Sequence, residues 1–290
     1  MTSGNIEWWP SPAKINLFLH ICGQYENGYH SLQTLFQILD FGDQIGLEIT
    51  QSGNVELVDG INGVATTDNL IFKAAQLLLK YRQNKLLGAK ISLRKHIPMG
   101  GGLGGGSSNA ATVLIALNHM WHCQLSQTAL LAIGTKLGAD VPVFINGHSA
   151  FAQGIGEQLY NTQIPTAYYL VATPKTNIST QAIFTHPNLP RDTPTMDFAH
   201  YKFELTHNDC EKLVCKLQPE VANLVNRLIH YAPSRMTGTG ASVFAKFDSY
   251  KEANEVLKHL PEEVSAFVAK GLDVSPLHAK LAKMQTEANL

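Results

Sequence analysis

Residues 98–108 read Pro98-Met-Gly-Gly-Gly-Leu-Gly-Gly-Gly-Ser-Ser108, and we call this segment the glycine loop. The alternating run Ala89–Leu93 before it is typical of a strand, and apolar spacing predicts a helix over Ser108–Trp121. A side chain among Ser107, Ser108 and Asn109 is expected to cap that helix. Glycines let a backbone approach a phosphate closely, and free amides at a helix start donate hydrogen bonds to it. The segment therefore predicts a phosphate-binding loop.

Two better-known phosphate motifs do not fit the glycine loop. No Gly-Lys-Ser/Thr follows it, so it is not a Walker A loop. GGLGGG aligns with GxGxxG, but the strand and acidic residue of a dinucleotide fingerprint do not follow about 20 residues later. A flexible linker is the remaining alternative, and linkers rarely lead into a capped amphipathic helix. Phosphate binding is the better interpretation, although a glycine pattern alone names no reaction.

Strands and helices alternate on both sides of the glycine loop. Apolar or alternating runs predict further strands at 15–21, 44–50, 54–58, 167–172, 242–247 and 266–270. Helical spacing predicts helices at 69–81, 126–137, within 208–232 and at 250–260. The runs 44–50 and 54–58 are expected to form a hairpin, and Asp68 is expected to cap the helix that follows. The pattern predicts an α+β protein of two domains, residues 1–155 and 156–290.

Composition and charge exclude several classes of protein. The chain has 290 residues, 44% hydrophobic and 16% charged, which is enough to bury a substantial core. The chain has 22 Lys and Arg against 23 Asp and Glu. This balance argues against binding to nucleic acid or to an anionic membrane surface through the overall charge of the protein. We find no apolar run of 18 residues, no secretory signal pattern and no CxxC pair. These features predict a cytoplasmic protein whose partners are neither nucleic acids nor membranes.

Three further segments carry chemistry together with the glycine loop. They are Pro10-Ser-Pro-Ala-Lys-Ile-Asn-Leu17, Leu137-Gly-Ala-Asp-Val-Pro-Val-Phe144 and Thr237-Gly-Thr-Gly-Ala241. The set resembles the superfamily of galactose, homoserine, mevalonate and phosphomevalonate kinases. Including NGYHSLQTLFQILDFGD at 27–43 and PSRMTGTGASVFA at 233–245, the chain is similar to the family of 4-diphosphocytidyl-2-C-methyl-D-erythritol kinases. The resemblance runs from about residue 8 to 280, with every motif in order.

This resemblance implies a fold and a reaction. The family has a ribosomal S5-like N-terminal domain joined to a ferredoxin-like C-terminal domain, with the active site between them. Its members transfer the γ-phosphoryl group of ATP to the 2-hydroxyl of 4-diphosphocytidyl-2-C-methyl-D-erythritol, which we call the cytidyl substrate. Fold alone does not establish function, so the prediction depends on individual residues.

The resemblance makes Asp140 the catalytic base and Lys14 its paired lysine. A carboxylate within hydrogen-bond reach of a hydroxyl orients it and accepts its proton. A nearby cation stabilises the charge that develops on the transferred group. The alternatives are a helix-cap or turn aspartate and an ordinary solvated lysine.

The resemblance assigns the glycine loop to the ATP phosphates, namely Pro98, Met99, Gly100, Gly101, Gly102, Leu103, Gly104, Gly105, Gly106, Ser107 and Ser108. Mg²⁺ is expected to bridge phosphate oxygens, mostly with water and substrate as ligands, and Ser108 is the one candidate protein ligand. A second glycine turn is expected to face the phosphates or the reacting hydroxyl, and consists of Thr237, Gly238, Thr239 and Gly240. A plain tight turn between a helix and a strand is its alternative.

The cytidine end of the substrate is expected to meet aromatic residues. In the family a tyrosine and a phenylalanine sandwich the cytosine and a histidine bonds to its edge; Tyr29, Phe184 and His30 match these in turn. Every base can stack, so specificity is expected to come from hydrogen bonds. Asn16 shares a strand face with Lys14 and is a further candidate for substrate contact. Core packing is the alternative role for Phe184.

Other functions and sites are alternatives to this interpretation. Homoserine or mevalonate kinase activity is the alternative within the superfamily, and the pair Tyr29-His30 favours the cytidyl substrate. An RNA-binding module shares the predicted N-terminal fold, but the chain has no basic stripe. An inactive relative is disfavoured because both Lys14 and Asp140 are present. The helix-spaced set His119, His122 and Cys123 offers no fourth ligand, so no metal site is expected there.

Overall fold

The computed structural model describes residues 5–58, 60 and 64–288, and within them ten strands join one mixed sheet and nine α-helices form. The strands are β1 (Glu7–Gln24), β2 (His30–Thr50), β3 (Val55–Leu57), β4 (Gly88–Arg94), β5 (Ala150–Gln153), β6 (Gln158–Asn161), β7 (Tyr168–Thr173), β8 (Ser234–Met236), β9 (Val243–Phe247) and β10 (Ser265–Leu272). The helices are α1 (Leu70–Leu78), α2 (Gly105–Met120), α3 (Gln127–Leu137), α4 (Val141–Asn146), α5 (Thr180–Phe184), α6 (Glu211–Leu217), α7 (Pro219–Leu228), α8 (Tyr250–Leu257) and α9 (Pro276–Ala288). The mixture confirms the predicted α+β class. None of the described helices is long and apolar enough to cross a membrane.

The long strand β2 organises the sheet. It pairs antiparallel with β1 over most of its length, with β4 through residues 44–50 and with β5 through residues 34–36. Near Ile38 it also meets β10, which continues the sheet to β7, β9 and β8. Strands from both halves of the chain are therefore joined through β2 and β10.

The core forms three clusters of buried side chains. One packs α1 to α4 against the N-terminal strands and includes Trp9 and Trp121. A second packs α6 to α8 against β7 and β9. The third takes residues from both halves, among them Ile15 of β1 and Phe244 of β9. Along β1, Ile15 and Leu17 enter this third cluster, and because side chains alternate on a strand, Lys14 and Asn16 face away from it.

Elements on either side of residue 155 contact each other. Strand β6 pairs with β5, and Leu277 of α9 lies in the same buried cluster as Trp9. The division into residues 1–155 and 156–290 stays a prediction.

The predicted hairpin of 44–50 and 54–58 is wrong. Strand β3 pairs in parallel with β4, and β4 pairs with β2, so β4 lies between the two expected partners. Apolar alternation identifies a strand but not its neighbour, because a strand from later in the chain can occupy the adjacent position. The cap of α1 is also one residue from its expected place, since Asn69 and not Asp68 accepts the hydrogen bond from the amide of Ile71.

Helix α2 starts earlier than the sequence predicted. It begins at Gly105, after Gly104 in the left-handed region at φ 71°, and no side chain caps it. Ser108 and Asn109 are buried and bond to the hydroxyl of Ser11 instead. Helix α3 confirms its prediction, with Ser126 as its cap. The second glycine turn follows strand β8, which the sequence did not predict, and so joins two strands.

Candidate active site

Lys14 is a buried cation at the centre of the site. Its Nζ lies 3.2 Å from Oδ2 of Asp140 and donates to Oδ1 of Asn16 at 2.7 Å and to the carbonyl of Gly102 at 3.2 Å. The Lys14 side chain is 3% exposed, whereas that of Asp140 is 37% exposed. The three donors of the ammonium therefore meet three oxygens, and the carboxylate keeps an open side. The solvated-lysine alternative is wrong.

Asp140 is presented by the start of α4. It is the residue before that helix, but its side chain makes no cap hydrogen bond. Val141 and Phe144 of α4 are buried, which fixes the helix and thus the position of the carboxylate. The helix-cap alternative for Asp140 is therefore wrong, and its side chain pairs with Lys14.

The glycine loop packs directly on the second glycine turn. Gly102 has φ 73°, and a Cβ there would lie 2.5 Å from the carbonyl oxygen of Thr237. The amide of Ser242 donates to the carbonyl of Gly101 at 3.2 Å. Only glycine permits this approach at residue 102, so the two segments form one continuous backbone surface.

The start of α2 leaves amides without a helical acceptor within the glycine loop. The amide of Ser108 bonds to the carbonyl of Gly104 at 2.8 Å and is the first of the α2 ladder. The amides of residues 105–107 precede it, and such groups have no acceptor inside the helix. Free amides and the helix dipole make this end suitable for an anion.

The buried carboxylate of Asp43 anchors the approach to the glycine loop. It pairs with Nζ of Lys95 at 2.7 Å and accepts from the amides of His96 and Ile97 at 2.7 and 2.8 Å. Sequence analysis missed this residue. The one sequence feature that marks Asp43 is its position at the end of the motif 27–43. This position is far from the glycine loop in sequence, but the structure places Asp43 next to the start of the loop.

A cavity of about 460 Å³ opens beside the Lys14–Asp140 pair. Ten of the residues predicted from the sequence line it: Lys14, Asn16, Tyr29, His30, Gly102, Ser107, Asp140, Phe184, Gly238 and Thr239. It is therefore bordered by the ion pair, by both glycine segments and by the three residues expected at the cytosine. Its size suits a small-molecule ligand.

The other predicted site residues do not line this cavity, namely Pro98, Met99, Gly100, Gly101, Leu103, Gly104, Gly105, Gly106, Ser108, Thr237 and Gly240. Leu103 lies in the buried core, and the hydroxyl of Thr237 accepts from the amide of Asn16 at 2.8 Å. The hydroxyl of Ser108 is buried and bonds to Ser11. Leu103, Ser108 and Thr237 therefore support the glycine segments from inside the protein.

At the aromatic end, His30 and Phe184 contact each other. Their ring centroids lie 5.2 Å apart with planes tilted by 32°, and Phe184 also packs against the second core cluster. Tyr29 is 59% exposed and lies on the turn between β1 and β2, where Gly28 has φ 84°. The three residues predicted from distant segments are thus brought to one end of the cavity.

Sequence analysis missed Arg191, the polar partner of His30. Its Nε donates to Nε2 of His30 at 3.0 Å. Burial, and then the positive charge of Arg191, lowers the pKa of His30 below its ordinary value. Arg191 lies in a Pro-rich stretch that carries no motif, so no pattern marked it.

The described residues hold no group of three or more His, Cys, Asp or Glu side chains suited to a metal ion. The hydroxyl of Ser108 is already bonded to Ser11 inside the protein. Ser108, the candidate Mg²⁺ ligand expected from the sequence, is therefore engaged inside the protein.

Comparisons with known proteins identify the family. Residues 69–148 match the GHMP kinases N terminal domain and residues 196–266 match the GHMP kinases C terminal domain. A 4-diphosphocytidyl-2-C-methyl-D-erythritol kinase of Pseudoalteromonas atlantica is 56% identical over 96% of this chain and 97% of its own. A protein of the same name from Colwellia psychrerythraea is 54% identical over 95% of this chain and 93% of its own.

A solved structure agrees with these relatives. The crystal structure of 4-(cytidine 5'-diphospho)-2C-methyl-D-erythritol kinase superposes with a TM-score of 0.79 at 30% identity, covering 91% of this chain and 99% of that one. The predicted two-domain fold of this kinase family is confirmed. On this sequence identity and coverage, the chain belongs to the family of 4-diphosphocytidyl-2-C-methyl-D-erythritol kinases.

Proposed function

We propose that this chain transfers the γ-phosphoryl group of ATP to the 2-hydroxyl of 4-diphosphocytidyl-2-C-methyl-D-erythritol. The products are the 2-phosphate and ADP, a step in the non-mevalonate isoprenoid precursor pathway. The observation that carries the proposal is one cavity bordered both by the Lys14–Asp140 ion pair and by Tyr29, His30 and Phe184. Any kinase that phosphorylates a small alcohol needs a pair such as Lys14–Asp140. The aromatic residues are needed only when the substrate carries a base or another flat ring.

Asp140 acts on the acceptor hydroxyl. Its carboxylate has an open side toward the cavity, where it orients the 2-hydroxyl and accepts its proton as the oxygen bonds to the γ-phosphorus. The bond from phosphorus to the bridging oxygen of ADP breaks in the same transfer. Holding the two reactants in line supplies much of the acceleration in such reactions.

Lys14 stabilises negative charge next to that carboxylate. Asn16 and the carbonyl of Gly102 fix the ammonium, so it needs no reorganisation when charge moves onto the transferred group. The side-chain amide of Asn16 is itself held, since its Nδ2 donates to Thr34 at 2.8 Å. We therefore assign Asn16 to positioning Lys14 as well as to lining the substrate cavity.

The glycine loop receives the phosphates of ATP. The amides of residues 105–107 precede the hydrogen-bond ladder of α2 and provide donors, and Gly102 and Gly238 line the cavity beside them. Mg²⁺ enters with ATP as part of the co-substrate, because the ion prefers phosphate and water oxygens when a protein cage is absent.

At the far end of the cavity, Tyr29 and Phe184 stack on the cytosine and His30 bonds to its edge. Aromatic stacking holds a base tightly but does not distinguish one pyrimidine from another. We further propose that the chain acts in the cytoplasm, with the small-molecule substrates as its partners.

The proposal is tested by incubating the purified chain with ATP, Mg²⁺ and the cytidyl substrate. Formation of ADP together with a product heavier by one phosphoryl group, located on the 2-hydroxyl by NMR, supports it. Homoserine and mevalonate serve as competing acceptors in parallel reactions. Faster transfer to either of these, or no transfer to the cytidyl substrate, overturns it.

A further inference from the structure

Arg191 makes four hydrogen bonds at the aromatic end of the cavity. Its Nε donates to Nε2 of His30 at 3.0 Å. Its two terminal nitrogens donate to the carbonyls of Leu189, Phe184 and His186 at 2.9, 2.9 and 3.0 Å. One guanidinium thus ties His30 to the chain segment that carries Phe184.

The direction of the Arg191–His30 bond determines where the imidazole holds its proton. A guanidinium can only donate, so Nε2 of His30 must be the acceptor and carry no hydrogen. A neutral imidazole then has its hydrogen on Nδ1, which bonds to no described residue. His30 lines the cavity, so this ring offers a ligand one donor and no acceptor.

A ring that only donates distinguishes two pyrimidines. Cytosine has an acceptor at N3, whereas uracil has an N–H there. A donor facing N3 bonds to cytosine but opposes the N–H of uracil, and an unpaired buried polar group weakens binding strongly.

We propose that Arg191 is a positioning residue that holds His30 in its Nδ1–H form, and that this selects a cytidyl over a uridyl substrate. The inference rests on the proposed function for its substrate. The three carbonyls that accept from Arg191 hold its guanidinium plane against His30. These contacts are what a positioning role requires.

A purely structural role for Arg191 predicts a different result. If Arg191 only held the segment 184–189, its loss would weaken the cytidyl and uridyl substrates equally through Phe184. The ratio of the two kcat/KM values therefore separates the roles.

The kinetic test compares Arg191→Met with wild type on the cytidyl substrate and its uridyl analogue. We expect the preference for the cytidyl form to fall about tenfold, the size of one hydrogen bond, with kcat and the KM for ATP nearly unchanged. In the His30→Ala background, Arg191→Met should leave the ratio where His30→Ala alone puts it. Arg227→Met is the matched control, since Arg227 is exposed and, among the described residues, its side chain bonds only to the carbonyl of His259.

A spectroscopic test needs no turnover. Long-range proton–nitrogen NMR of the imidazoles identifies the protonated nitrogen, and the signal missing in His30→Ala assigns the ring. We expect Nδ1–H in wild type and a shift toward Nε2–H in Arg191→Met. If Arg191→Met does not fold, Arg191→Lys keeps the charge and removes the Nε donor.

An Nε2–H tautomer in wild type, or an unchanged substrate ratio in the folded variant, overturns the inference. Failure of the proposed function is distinguishable, because it appears as absent phosphorylation by wild type while the tautomer of His30 still reports on Arg191.

Discussion

The two ends of the cavity are built in different ways. At the reaction end, Lys14 lies on the 18-residue strand β1 and all three of its donors are occupied. At the aromatic end, Tyr29 is 59% exposed on a turn, and Phe184 is the last residue of the five-residue helix α5. Rigid elements give a reacting group its precision, whereas a turn and a short helix can adjust around a ligand. Changes at the Lys14–Asp140 pair should therefore act on kcat, and changes at the aromatic end on the KM for the cytidyl substrate.

Asp140→Asn should have the largest effect. It keeps the size of the side chain but removes the basic oxygen, and general-base assistance contributes about 10²–10⁴ in rate. We expect kcat to fall by that factor while KM for both substrates changes by less than about tenfold, measured from steady-state rates of ADP formation.

Asp68→Asn is the control for this change, since that carboxylate is exposed and pairs with the exposed Lys73. It should leave kcat unaltered. A near-normal kcat for Asp140→Asn would mean that the reaction end does not depend on this carboxylate, and the contrast between the two ends would be lost.

Tyr29→Ala should come next and should act on KM. Loss of a base–aromatic stack costs about 1–3 kcal/mol, or about five- to 150-fold in affinity. We expect the KM for the cytidyl substrate to rise by that factor with little change in kcat or in the KM for ATP.

Two control variants accompany Tyr29→Ala. Tyr29→Phe keeps the ring and should be close to wild type, and Tyr25→Ala removes a comparably exposed ring of the same turn that does not line the cavity. If Tyr29→Ala instead weakens ATP, the nucleoside and ATP sites have been exchanged in our assignment.

The sequence predicted the residues of the reaction end more completely than the residues that hold them in place. The glycine loop is a local pattern, and Lys14 and Asp140 lie in short motifs that carry the resemblance to the family. The oxygen that accepts from Asn16 and the carboxylate that anchors the loop come from Thr34 and Asp43 on another strand. No local pattern records such contacts, because strand pairing decides them.

The aromatic end shows the same limit at longer range. Tyr29 and His30 are adjacent in sequence, but Phe184 and Arg191 come from more than 150 residues away. Only the resemblance suggested Phe184, and Arg191 was not suggested at all. The misplaced hairpin of 44–50 and 54–58 has the same cause, since the intervening strand β4 begins at Gly88.

Gly102→Ala tests the close backbone contact between the glycine loop and the second glycine turn at the reaction end. A Cβ would lie 2.5 Å from the carbonyl oxygen of Thr237, and φ of 73° is unfavourable for alanine by about 1–2 kcal/mol. We expect a loss of unfolding free energy of at least that size and a rise of about tenfold in the KM for ATP. Denaturant unfolding and steady-state kinetics measure the two effects.

Gly106→Ala is the matched control. A Cβ there would meet only Leu70 at an ordinary 3.8 Å, and alanine favours a helix over glycine by about 0.5–1 kcal/mol. It should be as stable as wild type or more so. Equal losses in both variants would contradict a specific fit between the two glycine segments.

The smallest expected effect concerns pH at the aromatic end. Burial, followed by the charge of Arg191, lowers the pKa of His30 below 6.5. A lowered pKa keeps the ring neutral at pH 6.5 and above. Protonation puts a hydrogen on Nε2, which removes the acceptor for Arg191 and places two cations side by side. Binding of the cytidyl substrate should therefore weaken only as the pH falls through that lower pKa. Calorimetric Kd values for the cytidyl substrate without ATP should change less than about twofold between pH 8 and 6.5 and rise below pH 6.5.

Arg191→Met should raise the pKa of His30 toward its ordinary value and move the weakening of binding to higher pH, while His30→Ala should abolish the weakening. Weakening that starts above pH 6.5 in wild type, or that persists in His30→Ala, would show that His30 does not set the pH response of this end.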